Sequence, residues 1–280
     1  MENISIKNLI VDFDITNEEN EIISKKRVIN NISLSINEGE FICIIGKNGS
    51  GKSTLVKCLN ALILPSAGDV TVYGMNTKDE SHLIDIRKNI GMAFQNPDNQ
   101  IVASIVEEDV AFGMENLGLE SSEMDKRIDE ALDTLGILES RYSQTNKLSG
   151  GQKQKVSLAG ILCMKSKILV LDEPTSMIDK NGRVDLLNKV YELNKKEKIT
   201  VILISHYIEE IIYADRVLVM NKGKIINDDT PKNIVLKDDV LKEAGVELPY
   251  ITRLSKKLKD SGKNLKGNKF TVSELCQFLK

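Results

Sequence analysis

The segment Gly46–Ser53 constrains the fold of this chain more than any other part of the sequence. It reads Gly-Lys-Asn-Gly-Ser-Gly-Lys-Ser and fits the pattern G-x-x-x-x-G-K-[ST], in which a glycine-rich loop cradles phosphate groups. The apolar run Phe41–Ile45 comes directly before it and is typical of a strand buried on both faces. Apolar residues at helical spacing follow from Leu55 to Leu62, so the segment predicts a strand, a phosphate-binding loop and a helix.

Each residue type in this loop has a physical reason to be there. Glycines let the backbone turn so that successive N–H groups point at phosphate oxygens, and the following helix directs its positive end at the same anion. Lys52 would reach the β- and γ-phosphates, and the Ser53 hydroxyl would bind Mg²⁺. The sequence therefore predicts a site for ATP and Mg²⁺. Its expected nucleotide-binding residues are Gly46, Asn48, Gly49, Ser50, Gly51, Lys52, Ser53 and Thr54.

A second apolar run, Ile168–Leu171, ends in the carboxylates of Asp172 and Glu173. Asp172 would hold Mg²⁺, directly or through water. Glu173 is one residue further on, so its side chain would point in a different direction, toward an attacking water that a carboxylate can orient or deprotonate. Asp172 lies 120 positions after Lys52 (172 − 52), so only the fold can bring the two groups together.

The segment Leu148–Gln152 reads Leu-Ser-Gly-Gly-Gln and precedes a predicted helix. Ser149 is a natural helix N-cap, and the amides of Gly150 and Gly151 at the helix start form a second anion site. Without the phosphate loop, an ordinary helix cap would be the simpler interpretation. With it, two chains facing head to tail would bind two nucleotides, each between one phosphate loop and the other chain's Ser149 segment.

Composition limits the kind of protein and the kind of partner. Hydrophobic residues make up 41% of the 280 residues, and no apolar run reaches the ~20 residues that a membrane helix needs. The net charge of −3 and the 4% aromatic content argue against binding nucleic acid through charge or base stacking. The four cysteines lack zinc-type spacing, so we expect reduced, mostly buried thiols.

The order of predicted elements indicates an α/β fold. Short β-rich runs open the chain, and the turn Asn37–Glu40 suggests that Ile32–Ile36 and Phe41–Ile45 form a hairpin. Residues 104–165 have helical patterns. The strand, helix and strand pattern from Ile168 to Ile204 predicts a parallel sheet.

These motifs, in this order, resemble the nucleotide-binding subunit of ATP-binding-cassette (ABC) transporters from about residue 4 to residue 230. The Leu-Ser-Gly-Gly-Gln signature is highly specific to that superfamily. The resemblance implies the P-loop NTPase fold of an ABC nucleotide-binding domain, with a mixed sheet core, an antiparallel β subdomain and a helical signature subdomain. The domain would span residues 1–230, with the helical subdomain at about 100–165. Residues 231–280 would form a small C-terminal extension, whose suggested role is a dimer contact.

The resemblance also implies roles for single residues. Gln95 looks like the loop glutamine that touches Mg²⁺ and the attacking water and links the site to a membrane partner. His206 looks like the switch histidine at the γ-phosphate, and Asp179 like the loop aspartate that crosses the dimer interface. Phe13 aligns with the aromatic residue that stacks on adenine. The expected catalytic residues are thus Glu173, His206 and Gln95, the expected Mg²⁺ ligands are Ser53, Gln95 and Asp172, and Ser149, Gly150, Gly151 and Gln152 would serve the partner's ATP.

A narrower resemblance links the chain to the ATPases of energy-coupling factor (ECF) importers. It rests on Phe94–Gln100, Glu107–Gly113, Glu115–Gly118, Ser205–Tyr207 and Glu209–Glu210. It implies an ATP-hydrolysing subunit that drives uptake of a vitamin or a transition-metal micronutrient. The implied partners are a second ECF ATPase in a heterodimer, a transmembrane coupling subunit and a membrane protein that captures the substrate. The chain would lie on the cytoplasmic face of the cell membrane, attached only through these partners.

Two other functions fit parts of the pattern. A soluble ABC ATPase that acts in DNA repair or on the ribosome would carry coiled-coil or zinc insertions, or two cassettes in one chain. This chain has one phosphate loop, no C-x-x-C and no long heptad run. An ABC importer with a periplasmic or lipoprotein receptor is the nearer alternative, and residues 96–100 and 107–118 argue against it.

Overall fold

The computed structural model describes residues 2–17, 19–248, 250–261 and 275–277 and contains two β-sheets with helices around them. The strands are β1 (Glu2–Thr16), β2 (Ile22–Asn37), β3 (Phe41–Ile45), β4 (Ala67–Val72), β5 (Met75–Asn76), β6 (Ile90–Ala93), β7 (Ile168–Asp172), β8 (Thr200–Ile204), β9 (Arg216–Asn221) and β10 (Lys224–Asp229). The helices are α1 (Lys52–Leu59), α2 (Leu83–Asn89), α3 (Val106–Asn116), α4 (Ser121–Thr134), α5 (Gly150–Cys163), α6 (Lys180–Glu197), α7 (Pro231–Ile234), α8 (Asp238–Glu243) and α9 (Tyr250–Asp260). This α/β architecture with a mixed sheet core confirms the predicted fold class.

The larger sheet has the strand order β10-β9-β3-β8-β7-β6. Its strands from β9 to β6 run parallel, and β10 pairs antiparallel with β9 at the edge. Alternate side chains of β3 enter two different hydrophobic clusters. Phe41, Cys43 and Ile45 belong to the cluster that includes buried residues of α3, α4 and α5, called here the helical-side cluster. Ile42 and Ile44 belong to the cluster on the other face of the sheet. Strands covered on both faces need the continuous apolar runs that the sequence shows.

The smaller sheet is antiparallel, with the order β2-β1-β4-β5. The expected hairpin between Ile32–Ile36 and Phe41–Ile45 is wrong, because β2 pairs with β1 while β3 joins the parallel sheet. A turn does form at Asn37–Glu40, where the Glu40 N–H donates to the Asn37 carbonyl over 3.2 Å. The turn sends the chain from one sheet into the other, since β3 is apolar on both faces and gains more burial in the central sheet.

Three helices, α3, α4 and α5, lie between β6 and β7 in the chain and pack on one another. Their apolar faces join the helical-side cluster through Val110, Met114, Leu132 and Val156. Arg141 ties this region together, with its guanidinium 2.9 Å from Glu107, 2.6 Å from Asp125 and 2.7 Å from Asp129. The helices α3, α4 and α5 therefore form one packed unit, and this unit includes the N-terminus of α5 at Gly150.

The chain continues past β10 through α7 and α8, which pack against β9. Leu241 and Ala244 are buried in the helical-side cluster. The Ala244 carbonyl accepts a hydrogen bond of 2.9 Å from the N–H of Lys47, within the phosphate-loop motif. The described start of the C-terminal extension thus contacts this chain's own loop. Within the described residues, no helix is long and apolar enough to cross a membrane.

Candidate functional site

The loop between β3 and α1 is shaped by three glycines with positive φ, which are Gly46 at 150°, Gly49 at 75° and Gly51 at 102°. A Cβ atom on Gly46 would lie 2.3 Å from the Met220 carbonyl oxygen. A Cβ on Gly51 would lie 2.9 Å from Ile29 Cδ1. The loop therefore lies flat against β9 and β2 in a conformation that only glycine adopts without strain. Asn48 and Gly49 are exposed at its tip, and Thr54 lies half-buried in α1.

Lys52 points back into this loop and is 4% exposed. Its Nζ donates hydrogen bonds to the carbonyls of Gly46, over 2.8 Å, and Lys47, over 3.2 Å. Burial lowers the pKa of Lys52, and the carboxylates of Glu173 and Asp172 act in the opposite direction. The buried Lys52 ammonium, near two carboxylates, supplies a positive charge that can bind the oxygens of a polyphosphate. The Ser50 hydroxyl, buried in the same loop, has no hydrogen-bond partner among the described residues.

Two oxygen ligands for a hard cation meet beside the loop. The Ser53 hydroxyl donates to Asp172 Oδ1 over 3.1 Å, although the two residues are far apart in sequence. Asp172 ends β7 and is 4% exposed, and burial raises its pKa while the Ser53 hydrogen bond lowers it. No group of three or more His, Cys, Asp and Glu residues in the described ranges could hold a metal. The pair fits Mg²⁺, which binds proteins through one or two oxygens and takes its remaining ligands from phosphates and water.

Glu173 follows Asp172 and contacts both Gln95 and His206. Gln95 Nε2 donates to Glu173 Oε2 over 2.7 Å, and His206 Nε2 lies 2.5 Å from Glu173 Oε1. Glu173 has a φ of 54°, a conformation uncommon outside glycine. Its N–H donates to the Ile204 carbonyl over 3.1 Å, which joins the ends of β7 and β8. This carboxylate, held between an amide and an imidazole and 7% exposed, can accept a proton or orient a water.

The Ser149 segment lies elsewhere. Ser149 Oγ accepts the Gln152 N–H over 3.3 Å, and the Ser149 N–H donates to Gln152 Oε1 over 3.0 Å, which forms a capping box for α5. Gly150 and Gly151 border Met177, in the loop after β7. Among the hydrogen bonds of the described residues, none joins this segment to the phosphate loop. The segment is therefore held by its own helix cap, independently of this chain's predicted nucleotide site.

Asp179 and Phe13 also stand apart from the central cluster. Asp179 is exposed and caps α6, with Oδ1 accepting the Gly182 N–H over 3.3 Å. Phe13 lies on β1 opposite Lys26, with 41% of its surface exposed. The structure thus brings together the loop lysine, the Ser53–Asp172 pair and Glu173 with its two neighbours. Asp179, Phe13 and Ser149 are exposed and lie outside this group.

Sequence reasoning missed one buried carboxylate near this site. Glu210 is 5% exposed, and its Oε2 accepts a 2.6 Å hydrogen bond from Ser205, next to His206. The pair Glu209–Glu210 stood out in the sequence without a role. Nothing in the local pattern distinguishes the buried glutamate from its exposed neighbour.

Comparisons with known proteins give consistent results. The family model described as "ABC transporter" matches residues 29–176. The chain is 47% identical over 276 residues to the "Energy-coupling factor transporter ATP-binding protein EcfA1" of Clostridium novyi, covering 99% of this chain and 97% of the relative. Among solved structures, cbiO1 from Clostridium perfringens, described as part of the ABC transporter complex cbiONQ, superposes with a TM-score of 0.75 at 32% identity, covering 91% of this chain and 100% of that one. The cassette MJ0796, a dimer bound to ADP and Pi, has a TM-score of 0.75 at 27% identity and covers 81% of this chain and 98% of that one.

Proposed function

The chain belongs to the ABC transporter family as an energy-coupling factor ATP-binding protein, and on that premise we propose how its residues hydrolyse ATP. It is an ATPase that binds ATP with Mg²⁺ and powers import through an ECF-type transporter. One observation carries the residue assignment. The loop lysine, the Ser53–Asp172 pair and the carboxylate of Glu173 all meet at the carboxyl ends of β3 and β7.

The phosphate loop holds the triphosphate. The amides of residues 48–54 and the ammonium of Lys52 bind its oxygens, because a glycine-shaped turn and a helix N-terminus both present N–H groups to anions. Ser53, Asp172 and Gln95 would hold Mg²⁺, which supplies positive charge to neutralise the phosphates. Burial raises the pKa of Asp172, whereas the Ser53 hydrogen bond and the charges of Lys57 and Lys52 favour the carboxylate form that would bind Mg²⁺.

Glu173 orients and deprotonates the attacking water. Its two oxygens are held by Gln95 and His206, so one oxygen can turn to a water while the other keeps the side chain in place. His206 contacts the γ-phosphate, and Gln95 reports the state of the site to the membrane partner. Catalysis is then mostly positioning and charge stabilisation, as in other phosphoryl transfers.

A second ATPase completes each site. The Ser149–Gln152 segment binds the γ-phosphate of the partner's ATP, and Asp179 crosses the interface between the two chains. Ser149 and Asp179 are exposed on this chain, which suits contact with another subunit. Phe13 stacks on the adenine ring from the antiparallel sheet. Because each nucleotide lies between two chains, hydrolysis and phosphate loss let the dimer open.

The similar cbiO1 is part of the ABC transporter complex cbiONQ, and the similar cassette MJ0796 forms a dimer. We propose that the dimer is a heterodimer with a second ECF ATPase, and that the membrane partners are a coupling subunit and a small protein that captures a vitamin or a transition metal. The chain would then work on the cytoplasmic face of the cell membrane. In this arrangement residues 1–230 form the ATP-binding domain, about 100–165 its helical subdomain, and 231–280 an extension with a dimer contact.

The shared site is tested with Ser149→Arg in the purified transporter complex. The arginine fills the anion site at the start of α5, so phosphate release should fall about tenfold or more, as when one preorganised donor is lost. ATP binding to this chain's own loop should be unchanged. Ser122→Arg, an exposed serine on α4, is the matched control and should behave as wild type. Equal rates for Ser149→Arg and Ser122→Arg would contradict the shared site.

A further inference from the structure

A buried carboxylate behind the catalytic cluster takes no part in the mechanism above. Glu210 lies in a short 3-10 helix, Ile208–Tyr213, four residues after His206. It is 5% exposed, whereas the preceding Glu209 is exposed. Carboxylates are almost never buried to this extent unless neighbouring groups bind them, because burial without partners is costly. The groups that bind Glu210 therefore indicate what it does.

The first of these groups belong to the loop that carries His206. Ser205 Oγ donates to Glu210 Oε2 over 2.6 Å and accepts the Tyr207 backbone N–H over 2.9 Å. The Ser205 N–H in turn donates to the Ile44 carbonyl in β3 over 3.2 Å. The residues on both sides of His206 are thus fixed to one carboxylate and to the central sheet.

The second group belongs to the loop that carries Glu173. Thr175 is 2% exposed and lies two residues after Glu173, in a turn where the Ser176 N–H donates to the Glu173 carbonyl over 3.2 Å. Burial raises the pKa of Glu210, while the side chains of Ser205 and Thr175 and the charge of Arg183 lower it. Glu210 Oε1 has no hydrogen-bond partner among the described residues, so the direct link between the two loops is the Glu173 N–H, which donates to the carbonyl of Ile204, the residue before Ser205.

Arg183 completes the arrangement from α6. Its guanidinium lies 3.9 Å from the centroid of the Tyr207 ring, a cation–π distance. It packs over the residue after His206 and adds positive charge near the Glu210 carboxylate. None of these contacts is made with the phosphate loop, so Glu210 would act on the reaction only through the two loops.

We propose that Glu210 is a positioning residue that fixes the loop of His206 against the loop of Glu173. It keeps His206 Nε2 and Glu173 Oε1 at their separation of 2.5 Å, and with it the place where the attacking water binds. This inference rests on the catalytic roles given to Glu173 and His206 above. Displacements near 1 Å at a reacting centre cost about 10²-fold in rate. ATP binding uses the phosphate loop, so the loss of Glu210 should not change it.

The test compares Glu210→Ala with Glu210→Gln in the full transporter complex, and Glu209→Ala is the matched control. Glu210→Ala should lower kcat by about 10- to 100-fold while KM for ATP stays within about twofold. Glu210→Gln should recover much of the rate, because its amide oxygen still accepts the Ser205 hydroxyl. Glu209→Ala should match wild type. The rates are normalised to the number of bound ATP molecules, which corrects them for any loss of folded protein.

A double-mutant cycle separates positioning from general stability. Ser205→Ala and Glu210→Ala should be strongly non-additive in kcat, since each removes the same hydrogen bond. Additive losses, or a Glu210→Ala complex with the kcat of Glu209→Ala, would overturn the inference. Glu173→Gln is measured in parallel. If it abolishes turnover while Glu210→Ala does not, only the positioning role fails, and if Glu173→Gln turns over normally, the proposed catalysis fails as well.

Discussion

Replacing Glu173 by glutamine removes the proposed base and changes little else. Glutamine has the same size and can keep the backbone of this position, whose φ is 54°. Its amide oxygen can accept a hydrogen bond from Gln95 or remain beside His206, but the amide cannot take a proton from water. ATP binding through the phosphate loop should therefore survive the substitution.

The expected loss of turnover follows from the contacts of the carboxylate. General-base catalysis contributes roughly 10²–10⁴-fold, and both oxygens of Glu173 are engaged, at 2.7 Å by Gln95 and 2.5 Å by His206. The amide can hydrogen-bond to these neighbours but cannot take a proton from water, so we expect a loss of about 10³-fold in kcat. This corresponds to about 4 kcal/mol in activation free energy, at about 1.4 kcal/mol for each tenfold.

The assay is phosphate release by the purified complex at saturating MgATP, together with retention of labelled ATP on a filter. Glu173→Gln should retain ATP and keep the ATPase dimer closed while releasing almost no phosphate. Glu209→Gln removes one exposed carboxylate nearby and is the control. A Glu173→Gln rate within about twofold of wild type would refute the base assignment, since the loss of a general base exceeds that range.

Three simpler tests address the loop, the adenine contact and the thiols. Gly46→Ala puts a Cβ 2.3 Å from the Met220 carbonyl, so ATP binding should be lost and unfolding free energy should fall by at least about 1–3 kcal/mol; wild-type ATP affinity would contradict the tight loop. Phe13→Ala should raise KM for ATP about fivefold or more at unchanged kcat, whereas Phe13→Tyr should not; an unchanged KM would exclude stacking. Ellman's reagent should modify one thiol, exposed Cys276, at once, and a second fast thiol would contradict the buried core. The slow thiols are Cys43, Cys58 and Cys163, and burial raises the pKa of the last two to about 12.

The fold could be predicted because its strongest signals are local. The run Phe41–Ile45 is apolar at every position, and the glycine pattern after it admits a single kind of turn. The expected reduced and mostly buried thiols agree with free cysteines of which three are buried. The pairing of β2 with β3 was wrong because the turn Asn37–Glu40 reverses the chain locally but does not determine which sheet the next strand joins.

The candidate site could be predicted where the residue types and spacing of a motif indicate a chemical role by themselves. Glu173, Gln95 and His206 lie in separate segments of the sequence, and the fold brings their side chains into contact. Their catalytic roles stay predictions until variants are measured. Contacts such as Lys47 with Ala244, or Glu210 with Ser205, depend on tertiary packing, which no local residue pattern encodes.

The central claim is that this chain is one ATPase of an ECF importer, and its partners test that claim most directly. A tagged chain would be recovered from detergent-solubilised membranes of its own organism, and the proteins bound to it identified by mass spectrometry. We expect a second cassette ATPase, one coupling membrane protein and small hydrophobic capture proteins, whose identities would name the substrates. Recovery of two ordinary permease subunits with a receptor, or of no membrane protein, would contradict the account.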